Sequence, residues 1–135
     1  MTTQTLVMDE KREVIYAMVR DVLVDALGVG REEVTPNATL RGCLGAESID
    51  YLDINFRLEK AFAIKIPRGD LFPDLDNEFY DDIGVINPDG IAYLRLNYPY
   101  IPVGADERSL NLDELTGRIS VNSLVDYVEK QLRKS

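Results

Sequence analysis

Two sets of apolar side chains at helical spacing, both within residues 48–62, constrain this chain more than any other feature. A turn around Gly45 leads to Glu47, and the spacing predicts a helix that opens at Ser48 and ends near Phe62. At ~100° per residue, Tyr51, Ile54, Leu58 and Phe62 share one side, widened by Ala61. Ile49, Leu52 and Phe56 share the opposite side, and Asp50, Asp53, Arg57 and Lys60 lie between them on one flank. A surface helix has one apolar stripe. The longer set should face the core, and the shorter must meet another segment or a partner. Ser48 suits an N-cap, where a side-chain oxygen accepts a backbone N–H. With Tyr51 three residues on, that placement leaves no capping box.

Two further helices are legible from their period. Residues 8–29 place Val14, Ile15, Met18, Val19, Val22, Leu23, Ala26 and Leu27 at helical spacing, with Asp9 as the expected N-cap and Gly28 or Gly30 as the stop. Residues 119–132 place Val121, Leu124, Val125, Val128 and Leu132 on one stripe, with Ser120 as the expected cap. Residues 30–47 read as a long connection anchored by Val34, Leu40 and Leu44. Cys43 in that connection reads as a small buried hydrophobe.

The run Leu44-Gly45-Ala46-Glu47-Ser48-Ile49-Asp50, followed after the helix by Phe62-Ala63-Ile64-Lys65-Ile66-Pro67, resembles the signature of the acyl carrier protein family. That signature reads Leu-Gly-x-Asp-Ser-Leu-Asp, then Phe-x-Ile-x-Ile-Pro. Glu47 and Ile49 replace the usual Asp and Leu, and both keep the chemical type. The loop over 30–47 and the start of the last helix extend the resemblance. It implies an all-α, four-helix acyl-carrier-protein-like bundle. It also implies a 4′-phosphopantetheine, taken from coenzyme A and attached to Ser48, whose thiol holds acyl groups for fatty-acid, lipid or polyketide-type biosynthesis. Such a protein is no enzyme. Its partners are a phosphopantetheinyl transferase and acyl-transferring or condensing enzymes, and Glu47, Ile49, Asp50, Leu52, Asp53 and Phe56 are the residues they would read. The acids among these equally suit the positive end of a helix dipole. Two alternatives stay open: a peptidyl or aminoacyl carrier, although those tend to show Gly-Gly-His-Ser-Leu at the site, and an unmodified carrier-fold binding module.

Composition narrows the chemistry. The chain has no histidine and one cysteine, which excludes a disulfide within the chain, a usual zinc site and a Ser–His or Cys–His catalytic pair. A net charge of −9 argues against binding nucleic acid or anionic lipid by charge. No run approaches the ~20 apolar residues of a membrane span. The N-terminal residues lack a basic region and an apolar signal core, so a cytoplasmic protein is expected; a monomer is a separate expectation.

The departure from the family lies between Pro67 and Gly117, where carrier proteins have a short loop and a small third helix. We expect a single carrier domain over 1–135 with an insert over about 68–110, partly irregular and rich in Phe, Tyr and Ile. Short helices are possible readings of 76–83 and of 89–97, the latter capped by Asp89, with a hairpin around 87–90 as the alternative. Residues 98–102 should be extended, because each residue before a proline is biased out of the helical region. Residues 112–115 match the family's third helix. The acids over 74–82 are spaced somewhat like a calcium loop, but Phe79 sits where the tight-turn glycine belongs, so they read as solvated and no metal is expected. Eleven acids oppose three bases over 68–117, leaving the remainder nearly neutral. The insert should pack beside the third and fourth helices, acids outward, leaving Ile49 and Leu52 free; covering Phe56 is the other placement.

Overall fold

α1 (Thr2–Leu27) packs against both α2 (Ser48–Phe62) and α5 (Val121–Lys134). The computed structural model describes the backbone of residues 2–134 and the side chains of residues 11–134. Val19 and Leu23 of α1, Ile54 and Leu58 of α2, and Leu124 and Val128 of α5 are fully enclosed. The inner face of α2 is the one its period assigns, with Tyr51 and Phe62 half-buried at its margins. Ala61 is exposed, because it lies at the edge of that stripe. Val14 is exposed too, one residue and so about 100° away from buried Ile15. Leu132 is partly exposed in the last turn of α5, beyond the buried stretch that ends at Val128. α1 begins at Thr2, so Asp9 lies inside it and is not its cap.

Among the described residues the protein is all-α, with three isolated antiparallel bridges and no extended strand. No helix among the described residues is long and apolar enough to cross a membrane. The remaining helices are α3 (Pro88–Asn97) and α4 (Leu112–Gly117). α4 is capped by Asn111, whose side chain accepts the Glu114 N–H at 2.8 Å. α5 is capped as expected by Ser120, whose Oγ accepts the Ser123 N–H at 3.2 Å.

Residues 68–110 contribute Leu71, Ile86, Ile91, Leu94, Tyr98, Ile101 and Leu110 to the same buried cluster as the helices. Three local expectations change there. Only a 3₁₀ turn, Asn77–Phe79, forms within 76–83. Asp81 Oδ1 accepts the N–H groups of Ile83 (3.0 Å) and Val85 (2.9 Å), and Tyr80 bridges Ile86, so the chain reverses instead of coiling. α3 forms in place of a hairpin at 87–90, but its cap is Asn87, not Asp89. Asn87 Oδ1 accepts the Gly90 N–H at 2.8 Å, and Pro88 takes the first helical position, where a missing N–H is harmless. Residues 98–101 turn rather than extend, with the Ile101 N–H donating to the Tyr98 carbonyl at 3.0 Å. Pro99 presets the backbone angle that the second position of such a turn needs. Gly90 is buried so tightly that a Cβ would come within 2.6 Å of the Phe79 carbonyl oxygen, which explains a glycine in the first turn of a helix.

Aromatic rings tie this segment down. Phe79, Tyr93, Tyr98, Tyr100 and Tyr127 of α5 follow one another with centroids 4.8 to 6.2 Å apart. Their hydroxyls are used: Tyr98 donates to the Gly69 carbonyl, Tyr100 to the Asp70 carbonyl and Tyr127 to the Asp70 carboxylate. Burial pushes the Tyr98 phenol up to about 12. Of the eleven acids over 68–117, all but Glu107 are exposed, as the charge pattern required. Glu107 accepts from Arg118 Nη2 (2.8 Å) and from the Gly104 N–H (2.9 Å), pinning the loop ahead of α4.

Leu58→Ala should cost roughly 2–5 kcal/mol of stability, the range for emptying an enclosed core site. Phe62→Ala, at the half-buried margin, should cost less, and denaturant melts of the two variants check the order.

The hydrogen bond from Arg118, aided by Gly104, holds the Glu107 carboxyl at about 2, below its ordinary 4.5. A depressed carboxyl contributes stability that is complete above the ordinary value and fades as pH falls toward the folded one. Thermal melts should therefore show wild type losing more of its melting temperature than Glu107→Gln between about pH 4.5 and 2. The effect should be small, since Glu107 and Arg118 remain partly solvated.

Candidate functional site

The chain reaches α2 through a loop sewn to the start of α5. The Leu40 N–H donates to the Ile119 carbonyl (3.0 Å), the Val121 N–H to the Ala38 carbonyl (2.9 Å), and the Ala46 N–H back to Leu40 (2.8 Å). Val34, Leu40 and Leu44 are buried as the anchors of this loop. Gly45, between buried Leu44 and Ala46, has φ of +73°, a left-handed conformation that glycine adopts freely. Cys43 is exposed and not a core hydrophobe. The loop turns its side chain outward, where the Thr39 hydroxyl lies 3.5 Å from Sγ and helps hold the thiol pKa below its ordinary value.

Glu47, not Ser48, is the N-cap of α2. Its N–H donates to Asp50 Oδ2 at 2.8 Å, and the Asp50 N–H donates to the Glu47 carbonyl at 2.9 Å. The capping interaction is therefore present one residue earlier than the sequence indicated, with Asp50 rather than Tyr51 at its third position. Ser48 is the first helical residue. Its side chain is exposed, and its hydroxyl has no hydrogen-bond partner among the described residues.

The outer stripe stands in solvent: Ile49 and Leu52 are each 77% exposed and Phe56 54%. Residues 68–110 leave all three uncovered. On the flank, Asp53 accepts from Arg57 Nε at 3.0 Å, and Lys60 Nζ lies 4.7 Å from the Phe56 ring centroid. Glu47, Ser48, Ile49, Asp50, Leu52, Asp53 and Phe56 therefore lie together along the first three turns of α2 and its cap. Asp50 and Asp53 are already engaged within the helix.

A cleft of about 720 Å³ opens beside Ser48, lined by Arg41, Glu47, Tyr51, Phe72, Pro73 and Asp113 among others. Phe72 stacks on Tyr51 with centroids 4.7 Å apart. Arg41 Nη2 lies 2.5 Å from Asp113 Oδ1, and Nη1 donates to the Asp113 carbonyl at 2.9 Å. The Tyr51 hydroxyl is buried without a hydrogen-bond partner among the described residues. Burial raises its pKa, Arg41 pulls it down, and Asp113 and Asp50 push it up. Arg41 and Asp113 lie 72 residues apart, so no local pattern joins them, and Phe72 is one aromatic among many in its segment.

Residues 18–78 match the family described as "Phosphopantetheine attachment site". The matched stretch contains the loop, α2 and the first residues of the following segment, and stops short of α3. Over 56 residues the chain is 41% identical to the protein named acyl carrier protein of Rubrobacter xylanophilus, covering 42% of this chain and 69% of that protein. It is likewise 41% identical over 52 residues to acyl carrier protein AcpXL of Brucella melitensis and of Brucella suis. There the match covers 38% of this chain and 56% of each relative.

The cap geometry separates two roles at the head of α2. Asp50→Ala should cost about 1 kcal/mol, the usual loss for a helix cap. Ser48→Ala should stay within about 0.5 kcal/mol, as an exposed side chain without a bond. Urea melts of both variants check the contrast, and a larger loss for Ser48→Ala would make the serine a capping residue after all.

Proposed function

Since the chain belongs to the acyl carrier protein family, whose members carry a 4′-phosphopantetheine arm, we propose that Ser48 is the attachment residue here. We read residues 1–135 as one carrier domain with an insert over about 68–110, presenting acyl groups to separate enzymes of fatty-acid, lipid or polyketide-type biosynthesis. The family's relatives are carriers rather than enzymes, and this chain is read the same way, as a cytoplasmic monomer.

The observation that carries the reading is the exposed, unbonded Ser48 hydroxyl at the head of α2. Asp50 does the capping, so the serine is left for chemistry. The residues fit the group: the first N–H groups of α2 favour an anion, and an open cleft lies alongside. During loading, Ser48 Oγ bonds to the β-phosphorus of coenzyme A. The phosphoanhydride bond breaks, adenosine 3′,5′-bisphosphate leaves, and the hydroxyl proton passes to a base on the transferase. When bound, the arm supplies a terminal thiol that holds acyl groups as thioesters.

Glu47, Ile49, Asp50, Leu52, Asp53 and Phe56 form the face offered to the transferase and to acyl-transferring or condensing enzymes. That face is more apolar than acidic. Arg57 offsets Asp53, and Lys60 covers part of Phe56. Enzymes that read it must gain more from burying Ile49 and Leu52 than from pairing carboxylates.

Incubation with coenzyme A and a broad-specificity phosphopantetheinyl transferase should add one arm, read by intact mass and located on Ser48 by peptide fragmentation. Ser48→Ala should abolish it. An adduct that survives that change, or that maps to Ser109 or Ser123, overturns the assignment.

A further inference from the structure

α3 and the loop that leads on to α4 enclose a second cleft of about 520 Å³, which shares no lining residue with the one beside Ser48. Pro88, Ile91, Ala92 and Arg95 line it from α3, at spacings that place them on one face of a helix. Ala105 and Arg108 line it from the loop. Ile86 and Ile91 are nearly enclosed and give the cleft an apolar floor. The two walls are fixed to each other. The Ile86 N–H donates to the Leu110 carbonyl at 2.8 Å, and Glu107 pins the loop through Arg118 and the Gly104 N–H. The charge here runs against its surroundings. The three bases over 68–117 are Arg68, Arg95 and Arg108, set among eleven acids. Arg68 lies 3.5 Å from Asp74, whereas Arg95 and Arg108 have no ion-pair or hydrogen-bond partner among the described residues, and both line this cleft. Of the carboxylates there, Glu107 is already neutralised by Arg118, which leaves Asp106 against two guanidiniums. The negative end of α3 favours a cation at Arg95 but does not account for Arg108, which lies in the loop.

We propose that this cleft binds a small aliphatic carboxylate. The carboxylate pairs with Arg95 and Arg108, and the carbon chain lies along Ile91, Ala92 and Ala105. The volume falls within the roughly 300–1,000 Å³ of small-molecule sites, which combine apolar walls with a few convergent polar groups. A guanidinium suits a carboxylate because it is planar and offers parallel donors. Two of them, arriving from two separate elements, fix the head of the ligand while the floor receives its chain. The net charge of −9 decides how much charge the ligand carries. That field repels any approaching anion in proportion to its charge. A single carboxylate meets little of it, and an acidic peptide meets several times more. A bare anion such as acetate leaves the apolar floor unused. The site is independent of the arm, so the inference holds whether or not Ser48 carries one.

The test titrates the full chain, nitrogen-15-labelled and carrying Ser48→Ala so that no arm is present, with hexanoate. The amide signals of Ile91, Ala92 and Ala105 and the Nε–H signals of Arg95 and Arg108 should move together along one saturable curve. Hexan-1-ol has the chain without the charge, and acetate the charge without the chain; both should bind more weakly than hexanoate. Arg95→Gln and Arg108→Gln should each weaken hexanoate by about fivefold, the upper weight of a solvated ion pair. Replacement of either by lysine should restore part of the loss, since the charge returns without the parallel donors. Ala92→Asp, at an exposed position, should abolish binding with both arginines intact. Unchanged signals elsewhere show that each variant is folded. Acetate binding as tightly as hexanoate reduces the cleft to an anion site, and hexan-1-ol doing so reduces it to an apolar patch; either result overturns the proposal. So does the absence of a saturable shift at the cleft, or the peptide acetyl-Glu-Leu-Glu-amide binding there more tightly than hexanoate, which makes the cleft a protein-docking surface instead. The assignment of Ser48 is untouched by each of these results.

Discussion

The backbone hydrogen bonds between residues 38–40 and 119–121 set the geometry at Ser48. They clamp the long loop to the start of α5, and Ala46 then folds back onto Leu40. The chain thereby enters α2 at one place and one rotation. Rotation matters because α2 has apolar residues on opposite sides. A slip of one residue turns a helix by about 100°. It would drag Ile54 and Leu58 out of the core and carry Ser48 away from its cleft. Burial of the inner face and exposure of the serine are one constraint seen from two sides.

Residues 68–110 add a second layer of packing while the outer stripe stays exposed. Their Leu, Ile and Tyr side chains continue the core, and tyrosine hydroxyls donate to the Gly69 and Asp70 carbonyls. Their acids face water, so the segment raises the negative field around the molecule while α2 itself stays close to balanced. This distribution separates two jobs: α2 offers apolar contact near the serine, and the segment offers charge at a distance.

Much of this was legible in the sequence, and the reasons differ by element. Ile54 and Leu58, like Val19 and Leu23, follow from a period sustained over several turns, which tertiary packing only ratifies. The exposed stripe Ile49, Leu52 and Phe56 followed from the same period, because one helix cannot bury two opposite sides in a small bundle. The cap of α2 was misread by one residue because Glu47 uses its backbone N–H, and no side-chain preference signals that. Asn87 displaced Asp89 for a similar local reason, since Pro88 fixes where the helix can start. The cleft was not legible at all. Arg41, Tyr51, Phe72 and Asp113 come from three distant stretches, and only the folded chain puts them side by side.

The aromatic ladder from Phe79 to Tyr127 has a practical side. The chain has no tryptophan, so tyrosine is its intrinsic fluorophore. Tyr93, Tyr98, Tyr100 and Tyr127 stand ring to ring, within easy range of excitation hopping, and two of them donate to carbonyl oxygens while Tyr127 faces a carboxylate. The hop from Tyr100 to Tyr127, across 5.5 Å between centroids, is the step in this row that joins residues 68–110 to α5. The molecule contains an optical gauge of its own docking, readable without attaching a dye.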